Sequence, residues 1–234
     1  MLQLGTDKQL YCSDIGLISY RNGLALQGSL HELRKSEAIG DTVLFLEHPN
    51  VLTLGTRGSM ADVLISETEI NARKIEVFRS NRGGQVTFHG PGQLVVYFIF
   101  NLYQAQRDLR KFVETMEECL IDFLRLEYGI ESKIDPGFPG VWVENKKIAA
   151  VGISVKDRVT MHGFALNINA DLSMFSTIIP CGIRDRGVTS LQKLLSETLK
   201  LSDVKTCLAQ YIMRHFGFSG IKWGAVPESI TTHS

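Results

Sequence analysis

The sequence predicts an α+β fold, with mixed β-sheets flanked by helices in a single domain spanning residues 1–234. The first observation is that the predicted strands come in clusters and adjacent hairpins, and do not alternate strictly with helices. The second is one long segment with the three- and four-residue apolar spacing of an amphipathic helix. The third is a nearly continuous apolar run, as in a sheet centre. No linker or repeat divides the chain, and only the tail, about residues 222–234, is expected to be frayed.

In the first third of the chain, the pattern predicts two helices and three strands. In order, these are a helix from Ile15 to Ser36, strands at Thr42–Glu47 and Val51–Leu54, a short helix over about 66–73, and a strand from Ile75 to Arg79. The first two strands are short apolar segments separated by the turn sequence His48-Pro49-Asn50. The short helix follows from Ser66 and Glu69, which have the spacing of a capping box.

The rest of the chain is predicted to contain the longest helix and the central strand. In order, the elements are a strand at Leu94–Phe100, a helix at Asp108–Tyr128, strands at Gly140–Glu144, Ile148–Val155 and Met161–Asn169, and two helices between Ser190 and Phe216. Leu94–Phe100 is the nearly continuous apolar run, and Asp108–Tyr128 has the helical spacing. Ser202 is expected to cap the last helix.

Composition excludes several classes of protein. The 25 basic and 25 acidic residues balance, which argues against a nucleic-acid binder that relies on a broad basic field. The apolar runs are too short to span a membrane, and the N-terminus has no signal-peptide pattern, so we expect a cytoplasmic protein. The four cysteines form no CxxC pair, so a zinc or redox dithiol site is not expected.

The most informative segment is the thirteen-residue stretch from Arg82 to Leu94, which contains four glycines, a proline and a histidine. Glycine allows unusual backbone angles and close approach of a ligand, whereas proline fixes the backbone. The segment directly precedes the apolar strand, so it predicts a shaped loop at a binding site. The alternative is a long glycine turn without chemistry.

Cys181 differs from the cysteines on predicted helices, because it lies between Pro180 and Gly182 after an apolar pair. A thiol on such a turn is presented to solvent or substrate. A nucleophilic cysteine also needs a nearby cation or base that favours the thiolate. From the residues alone, a catalytic cysteine and a buried loop cysteine both remain open.

Three histidines and one lysine are further candidates. His48, His89 and His162 each occupy a strand–turn boundary, but none has the spacing of a metal ligand pair. We therefore expect them to line a pocket or to hydrogen-bond its loops, and expect no metal site. Lys147 opens a strand of small residues, so its side chain either points into a cavity or lies on a solvated hairpin.

These motifs, taken together, resemble the lipoyl(octanoyl) transferases. The matching segments occur in the family's order over about residues 40–195. They are Phe45-Leu46-Glu47-His48-Pro49, Leu52-Thr53-Leu54-Gly55, Arg82 to Val95, Lys147 to Gly152, His162 to Asn167, Pro180-Cys181-Gly182-Ile183 and Val188-Thr189-Ser190-Leu191. Two positions depart from the family pattern: Phe88 stands where the family often has a larger or hydroxylated ring, and Phe98 follows Tyr97 where many members have proline.

The resemblance implies a fold like that of the biotin/lipoate protein ligases and a catalytic dyad of Cys181 and Lys147. It also implies an acyl-binding site. Its residues are Arg82, Gly83, Gly84, Gln85, Val86, Thr87, Phe88, His89, Ala150, Val151, Gly152, Gly163, Phe164 and Ala165, with His48, Tyr97 and His162 as candidate pocket residues. We expect Ala149, Ala150 and Gly152, opposite Gly83 and Gly84, to leave room for an acyl chain.

The activity implied by the resemblance is the first step of protein lipoylation. An octanoyl group moves from octanoyl-acyl carrier protein to Cys181 as a thioester, and then to a lysine of an acceptor protein. The implied acceptors are the lipoyl domains of 2-oxoacid dehydrogenase complexes and the glycine cleavage H protein. No cofactor, ATP or metal is needed, and we expect a monomer that does not bind nucleic acid or membrane.

Three alternatives remain from the sequence. One is an amidotransferase that moves lipoyl or octanoyl groups between protein lysines through a cysteine. Another is an ATP-dependent lipoate ligase, which is disfavoured because an adenylating enzyme has no use for a presented thiol. The last is a non-catalytic module that binds an acylated carrier domain, against which the joint presence of Cys181 and Lys147 argues.

Overall fold

The computed structural model describes residues 8–103, 108–179 and 186–226. Its strands are β1 (Gln9–Leu17), β2 (Thr42–Glu47), β3 (Val51–Leu54), β4 (Glu76–Arg79), β5 (Val86–His89), β6 (Gln93–Ile99), β7 (Lys133–Ile134), β8 (Gly140–Val143), β9 (Lys146–Lys156), β10 (Val159–Asn167), β11 (Gly187–Val188) and β12 (Gly220–Trp223). Its α-helices are α1 (Tyr20–Lys35), α2 (Glu67–Ala72), α3 (Leu109–Tyr128), α4 (Leu191–Leu195) and α5 (Leu201–Phe216). Short 3-10 helices lie at Met60–Asp62 and Leu172–Thr177.

The described strands form two sheets. The larger has the order β12-β1-β2-β6-β10-β9-β8-β7, with β11 paired to β9, and the smaller has the order β4-β3-β5. Parallel and antiparallel pairs occur in both sheets, and helices flank them. The mixed α+β class predicted from the clustered strands is therefore confirmed.

Strand β6 lies at the centre of the large sheet and is buried on both faces. Alternate side chains of a strand point to opposite faces. Leu94, Val96 and Phe98 join the core under α3 and α5, whereas Val95 and Tyr97 join the core under α1. This two-sided burial explains why the strand is a continuous apolar run and not an alternating one.

The beginning of the chain differs from the prediction, because residues predicted as the start of the first helix belong to a strand. The helix begins at Tyr20, and the Ser19 side chain accepts a hydrogen bond from the Asn22 N–H as its N-cap. Strand β1 pairs in parallel with β2 and places Leu10 and Cys12 in the core. Such pairing over a long sequence separation leaves no local signal.

Three other boundaries also need correction. The predicted glycine loop contains a strand, β5, which pairs with β3. The last helix is preceded by Lys200 without a side-chain cap, so the predicted cap Ser202 lies inside it. The predicted frayed tail begins too early, because Lys222 and Trp223 pair with β1 in β12. Residues 227–234 lie outside the described part of the chain.

Gly163 marks the tightest approach in the sheet, and we expect its replacement by alanine to destabilise the fold. It lies on β10 between Tyr97 of β6 and Gly152 of β9. An added Cβ would overlap the backbone oxygen of Val96, which cannot move without breaking the sheet. We expect Gly163→Ala to lower the free energy of unfolding by about 3 kcal/mol or more, measured by urea unfolding.

The matched control for this prediction is Gly28→Ala in α1. A Cβ at Gly28 meets no atom within 4 Å, and alanine favours the helix. This variant should gain about 0.5–1 kcal/mol in the same measurement. Equal stabilities for the two variants would contradict the assigned role of Gly163.

Among the described residues, no helix combines the length and the apolar character that crossing a bilayer requires.

Candidate active site

A cavity of about 430 Å³ opens between the glycine segment, β9, β10 and the start of α3. Most of the residues predicted to bind the acyl chain line it. They are Arg82, Gly83, Gly84, Gln85, Val86, Thr87, His89, Ala150, Val151, Gly152, Gly163, Phe164 and Ala165, together with Lys147, Tyr97 and His162. The structure thus brings together residues from three separate sequence motifs.

Two of the predicted residues lie behind the cavity wall. Side chains of β5 alternate, so Thr87 and His89 face the cavity whereas Phe88 packs on the Phe175 ring, with 5.6 Å between centroids. His48 is fully buried behind the cavity-lining rings of Tyr20, His89 and Tyr97, and it accepts a hydrogen bond from the Tyr97 hydroxyl. Neither side chain is placed to touch a bound chain directly.

Arg82 holds the glycine segment against β3. Its guanidinium donates to the hydroxyl and carbonyl oxygens of Thr53, to the Gln85 carbonyl and to the Gly83 carbonyl. Only 8% of the residue's surface is exposed, so the buried cation is satisfied by oxygens of Thr53 on β3 and by two carbonyl oxygens of its own loop. Its position indicates that it shapes the cavity wall.

Small residues let the glycine segment approach β9 closely. The Gly83 N–H donates to the Ile153 carbonyl at 3.0 Å, and a Cβ at Gly152 would lie 3.0 Å from the Gly83 oxygen. Ala150 faces the cavity, but Ala149 is fully buried in the main core on the opposite face. The expectation that Ala149 leaves room for the chain is therefore wrong, because β9 alternates its side chains.

Lys147 lies at the end of the cavity near α3, and only 7% of its surface is exposed. Its ammonium group donates to the Pro139 carbonyl at 2.9 Å and lies 4.8 Å from the centroid of the Trp142 ring. The pairing of β8 with β9 shifts register between Val141 and Trp142, so Ile148 is an extra residue on β9. Such bulges re-aim neighbouring side chains, which explains why Lys147 points inward and does not extend into solvent.

Cys181 lies outside the described residues, within the segment 180–185. The residues on either side of that segment are fixed. Before it, the Ile179 N–H donates to the Asp62 carbonyl at 2.8 Å. After it, Arg186 forms an ion pair with Asp135 and lies 5.1 Å from the Trp142 ring, the ring that Lys147 also contacts.

Three buried histidines form the inner polar part of the site. Burial lowers the pKa of His48 to about 4 and those of His89 and His162 to about 3. The positive charge of Arg82 lowers the pKa values of His89 and His162 further. All three rings are therefore uncharged at neutral pH and act there as neutral hydrogen-bonding groups.

Each histidine has a fixed partner. His48 lies 2.7 Å from the Ile18 carbonyl through Nδ1 and 2.7 Å from the Tyr97 hydroxyl through Nε2. Because a carbonyl only accepts, Nδ1 donates and Nε2 accepts from Tyr97. His89 bonds to Gln93, and His162 bonds to Asn81. Within residues 8–103, 108–179 and 186–226, no group of three or more potential ligands is arranged to hold a metal ion.

The cavity also has walls that the sequence reasoning missed. They come from Tyr20 on α1, Leu109 and Val113 on α3, and Phe138 with Pro139 before β8. The apolar spacing of α3 places Leu109 and Val113 on one side of the helix, but does not identify the surface they cover. The Asp-Pro-Gly-Phe-Pro-Gly sequence at 135–140 was the available local signal for a shaped loop.

Comparison with known proteins shows the family. A family model described as the lipoyl protein ligase A/B catalytic domain matches residues 19–213. An octanoyltransferase of Caldicellulosiruptor bescii is 47% identical over 206 residues, which are 88% of this chain and 90% of the relative. An octanoyltransferase of Desulforamulus reducens is 42% identical over 210 residues, covering 90% of this chain and 92% of the relative.

Solved structures show the fold. Lipoate-protein ligase A bound with ATP has a TM-score of 0.76 at 15% identity, covering 97% of this chain and 92% of that one. Biotin protein ligase from Aquifex aeolicus, in complex with biotin and ATP, has a TM-score of 0.54 at 16% identity, covering 90% of this chain and 71% of that one. The predicted likeness to the biotin/lipoate ligase fold is confirmed. The chain belongs to the lipoyl protein ligase A/B catalytic domain family and, within it, to the octanoyltransferase enzymes.

Proposed function

We propose that this octanoyltransferase takes its acyl group from octanoyl-acyl carrier protein and passes it to a lysine of a lipoyl domain through a thioester on Cys181. One observation carries the proposal: the buried amine of Lys147 lies in the wall of a cavity lined by the glycine segment and by small residues of β9 and β10. Such a cavity suits an acyl chain whose thioester carbonyl lies beside the Lys147 amine, which can carry a proton. The fixed position of Arg186 beside Trp142 supports an approach of the Cys181 segment to that amine.

In the first half-reaction, the Cys181 thiolate attacks the carbonyl carbon of the donor thioester. A new carbon–sulfur bond forms, and the bond to the carrier's sulfur breaks. The leaving thiolate takes a proton from the Lys147 ammonium, which becomes a neutral amine. Before this step, the ammonium stabilises the attacking thiolate by its charge.

In the second half-reaction, the acceptor lysine attacks the octanoyl–Cys181 thioester as a neutral amine. A carbon–nitrogen bond forms, the carbon–sulfur bond breaks, and the Cys181 thiolate is restored. The neutral amine of Lys147 takes the proton that the acceptor nitrogen loses. This returns the thiolate and the ammonium to their starting states, so the cycle consumes neither ATP nor a cofactor.

The cavity wall provides the apolar surface that the chain requires. Val151, Phe164 and Ala165 line it together with the glycines of the loop. Each methylene group removed from water contributes about 0.8 kcal/mol, so a slot of fixed length selects among chains. Tyr97, His89 and His162 bring polar groups to the inner wall. A longer acyl chain would end against these polar groups, so its additional methylene groups would add little binding free energy.

The acceptor proteins and the domain organisation are part of the same proposal. The acceptors are lipoyl domains of 2-oxoacid dehydrogenase complexes and the glycine cleavage H protein. We propose that residues 1–234 form one catalytic domain, because β12 near the end of the described chain pairs with β1 near its beginning. A monomeric state and a cytoplasmic location stay predictions from the sequence.

The test is an intact-mass measurement after mixing the pure protein with octanoyl-acyl carrier protein in the absence of ATP. The proposal expects an octanoyl-sized increase that hydroxylamine removes, and its transfer to a lipoyl domain in a second incubation. The Cys181→Ala variant should show neither. A variant that still transfers octanoyl groups would remove Cys181 from the mechanism.

ATP dependence separates the alternatives. Labelling that requires free octanoate and ATP would identify a ligase, the activity named for the ATP-bound structural neighbour. Acyl-carrier binding without any adduct would identify a binding module. Acyl transfer from a lipoylated protein, with none from the carrier protein, would identify an amidotransferase.

A further inference from the structure

The peptide group that joins Pro139 to Gly140 lies between two charged side chains. Its carbonyl oxygen, from Pro139, accepts a hydrogen bond of 2.9 Å from the Lys147 ammonium. Its N–H, from Gly140, donates a hydrogen bond of 2.7 Å to the Glu117 carboxylate on α3. One rigid peptide plane therefore connects a buried carboxylate to the buried amine of the cavity.

The backbone at this peptide requires glycine. Gly140 has φ of +122°, a conformation that residues with side chains rarely adopt. A Cβ there would overlap the Ala149 carbonyl oxygen and lie 3.4 Å from the Lys147 side chain. Glycine is thus required by the close approach of this backbone to β9, beside the Lys147 side chain.

Glu117 is unusual for an acidic residue, because only 3% of its surface is exposed. Burial raises the pKa of its carboxyl group, and the Gly140 N–H and the charge of Lys147 act in the opposite direction. A buried carboxylate needs such partners. The peptide supplies a hydrogen bond, and the lysine supplies a charge.

We propose that Glu117 is a positioning residue that acts on Lys147 through the Pro139–Gly140 peptide and stabilises its ammonium form in the resting enzyme. A carboxylate on the N–H side polarises the peptide, which makes its carbonyl oxygen a stronger acceptor. The negative charge also attracts the ammonium directly through a poorly solvated region. This inference rests on the proposed role of Lys147, and adds a group that sets its charge.

Other charged groups face the pair. They are Glu114, Glu118 and Lys111 on α3, and Arg186 with Asp135 beyond the Trp142 ring. The α3 residues bridge among themselves at the surface, and Arg186 pairs with Asp135. Glu117 is distinguished from them by its bond to the peptide that also binds Lys147.

Three variants separate charge from structure. Glu117→Gln keeps an oxygen that can accept from Gly140 but removes the charge, and Glu117→Ala removes both. Glu118→Gln is the matched control, because it removes the same charge from the next residue, which is half-exposed and paired with Lys111. Unfolding in urea identifies any variant whose fold is lost.

The first readout is independent of catalysis. Competitive acetylation of the full-length protein with acetic anhydride, followed by peptide mass spectrometry, gives the pH at which half of the Lys147 amines react. We expect this midpoint to fall by about one pH unit in Glu117→Gln and to stay in place in Glu118→Gln. An unchanged midpoint in Glu117→Gln would overturn the inference. Glutamine keeps the hydrogen bond to Gly140 and removes only the charge, so that result would mean that the contact is purely structural.

The second readout is the pH profile of acyl-enzyme formation. Its alkaline limb should move down by about one pH unit in Glu117→Gln, since the ammonium form is lost earlier. A shifted acetylation midpoint without any acyl-enzyme, even in the wild type, would support the Glu117 inference while contradicting the proposed function. The opposite result is normal acyl transfer that depends on Lys147, with the acetylation midpoint and the pH profile both unchanged in Glu117→Gln. It would support the proposed function while contradicting the Glu117 inference.

Discussion

The Lys147→Met variant is expected to form the octanoyl–enzyme about 10²–10⁴ times more slowly than the wild type, while folding normally. Methionine fills a similar volume but has no charge and no proton to give. In the proposed mechanism, the Cys181 thiolate then loses the cation that stabilises it, and the leaving sulfur loses its proton donor. Single-turnover acylation, followed by intact mass with quenched samples, measures the rate.

Two further lysine variants sharpen this test. Lys147→Arg keeps a cation but cannot release its proton near neutral pH, so it should acylate faster than the methionine variant yet fail to transfer to the acceptor. Lys146→Met is the matched control, because Lys146 is the exposed neighbour on the same strand. If Lys147→Met is acylated at the wild-type rate, the lysine has no role in the first half-reaction.

The elements predicted correctly are those whose signal is local. Strands β2 and β3 are short apolar runs bounded by turn residues, and α3 repeats its apolar side chains at helical spacing. The capping box of Ser66 and Glu69 forms as predicted at the start of α2. In each case the residues that define the element are neighbours in the sequence.

The elements missed depend on distant partners. Strand β1 is an extended segment made stable by parallel pairing with β2 and β12, and its apolar residues also fit a helical pattern continuing into α1. Strand β5 has only four residues between glycine-rich flanks, which is too short for its alternation to be recognised. Nothing in their own sequence sets either element apart from a loop or helix.

The candidate site shows the same division. The sequence leaves Lys147 either in a cavity or on a hairpin, and the bulge at Ile148 that turns it inward is a property of strand pairing. Glu117 looks like one more polar residue on an amphipathic helix. Its contact with Gly140 exists only because α3 packs across β8. Spacing along the chain therefore locates the candidate catalytic residues but not the residues that the fold packs against them.

Acid should unfold this protein steeply, because three histidines are buried without charge. The pKa of His48 is lowered to about 4, and those of His89 and His162 to about 3, mainly by burial. In the unfolded chain each returns to about 6.5. The unfolded state therefore binds about three more protons than the folded state as the pH falls from about 6 towards 4.

The sign of the effect follows from this difference. The stability that these neutral rings contribute is fully present above about pH 6.5 and is lost as the pH falls towards their folded-state values. Three protons correspond to a loss of about 4 kcal/mol per pH unit in that window. Glu117 acts in the opposite direction, because its pKa is raised in the folded state, and so reduces the slope at the acidic end.

Urea unfolding at a series of pH values measures this slope, and one substitution tests its origin. His162 has φ of +64°, a conformation that asparagine tolerates, so His162→Asn removes one titrating ring with little backbone strain. The slope below pH 6 should fall by about a third, whereas above about pH 7 the histidines should no longer contribute to the slope in either protein. If the variant keeps the wild-type slope, the histidines are not the groups that take up protons on acid unfolding. A smaller slope would instead show that the same burial that keeps the inner wall of the cavity uncharged limits the protein's tolerance of acid.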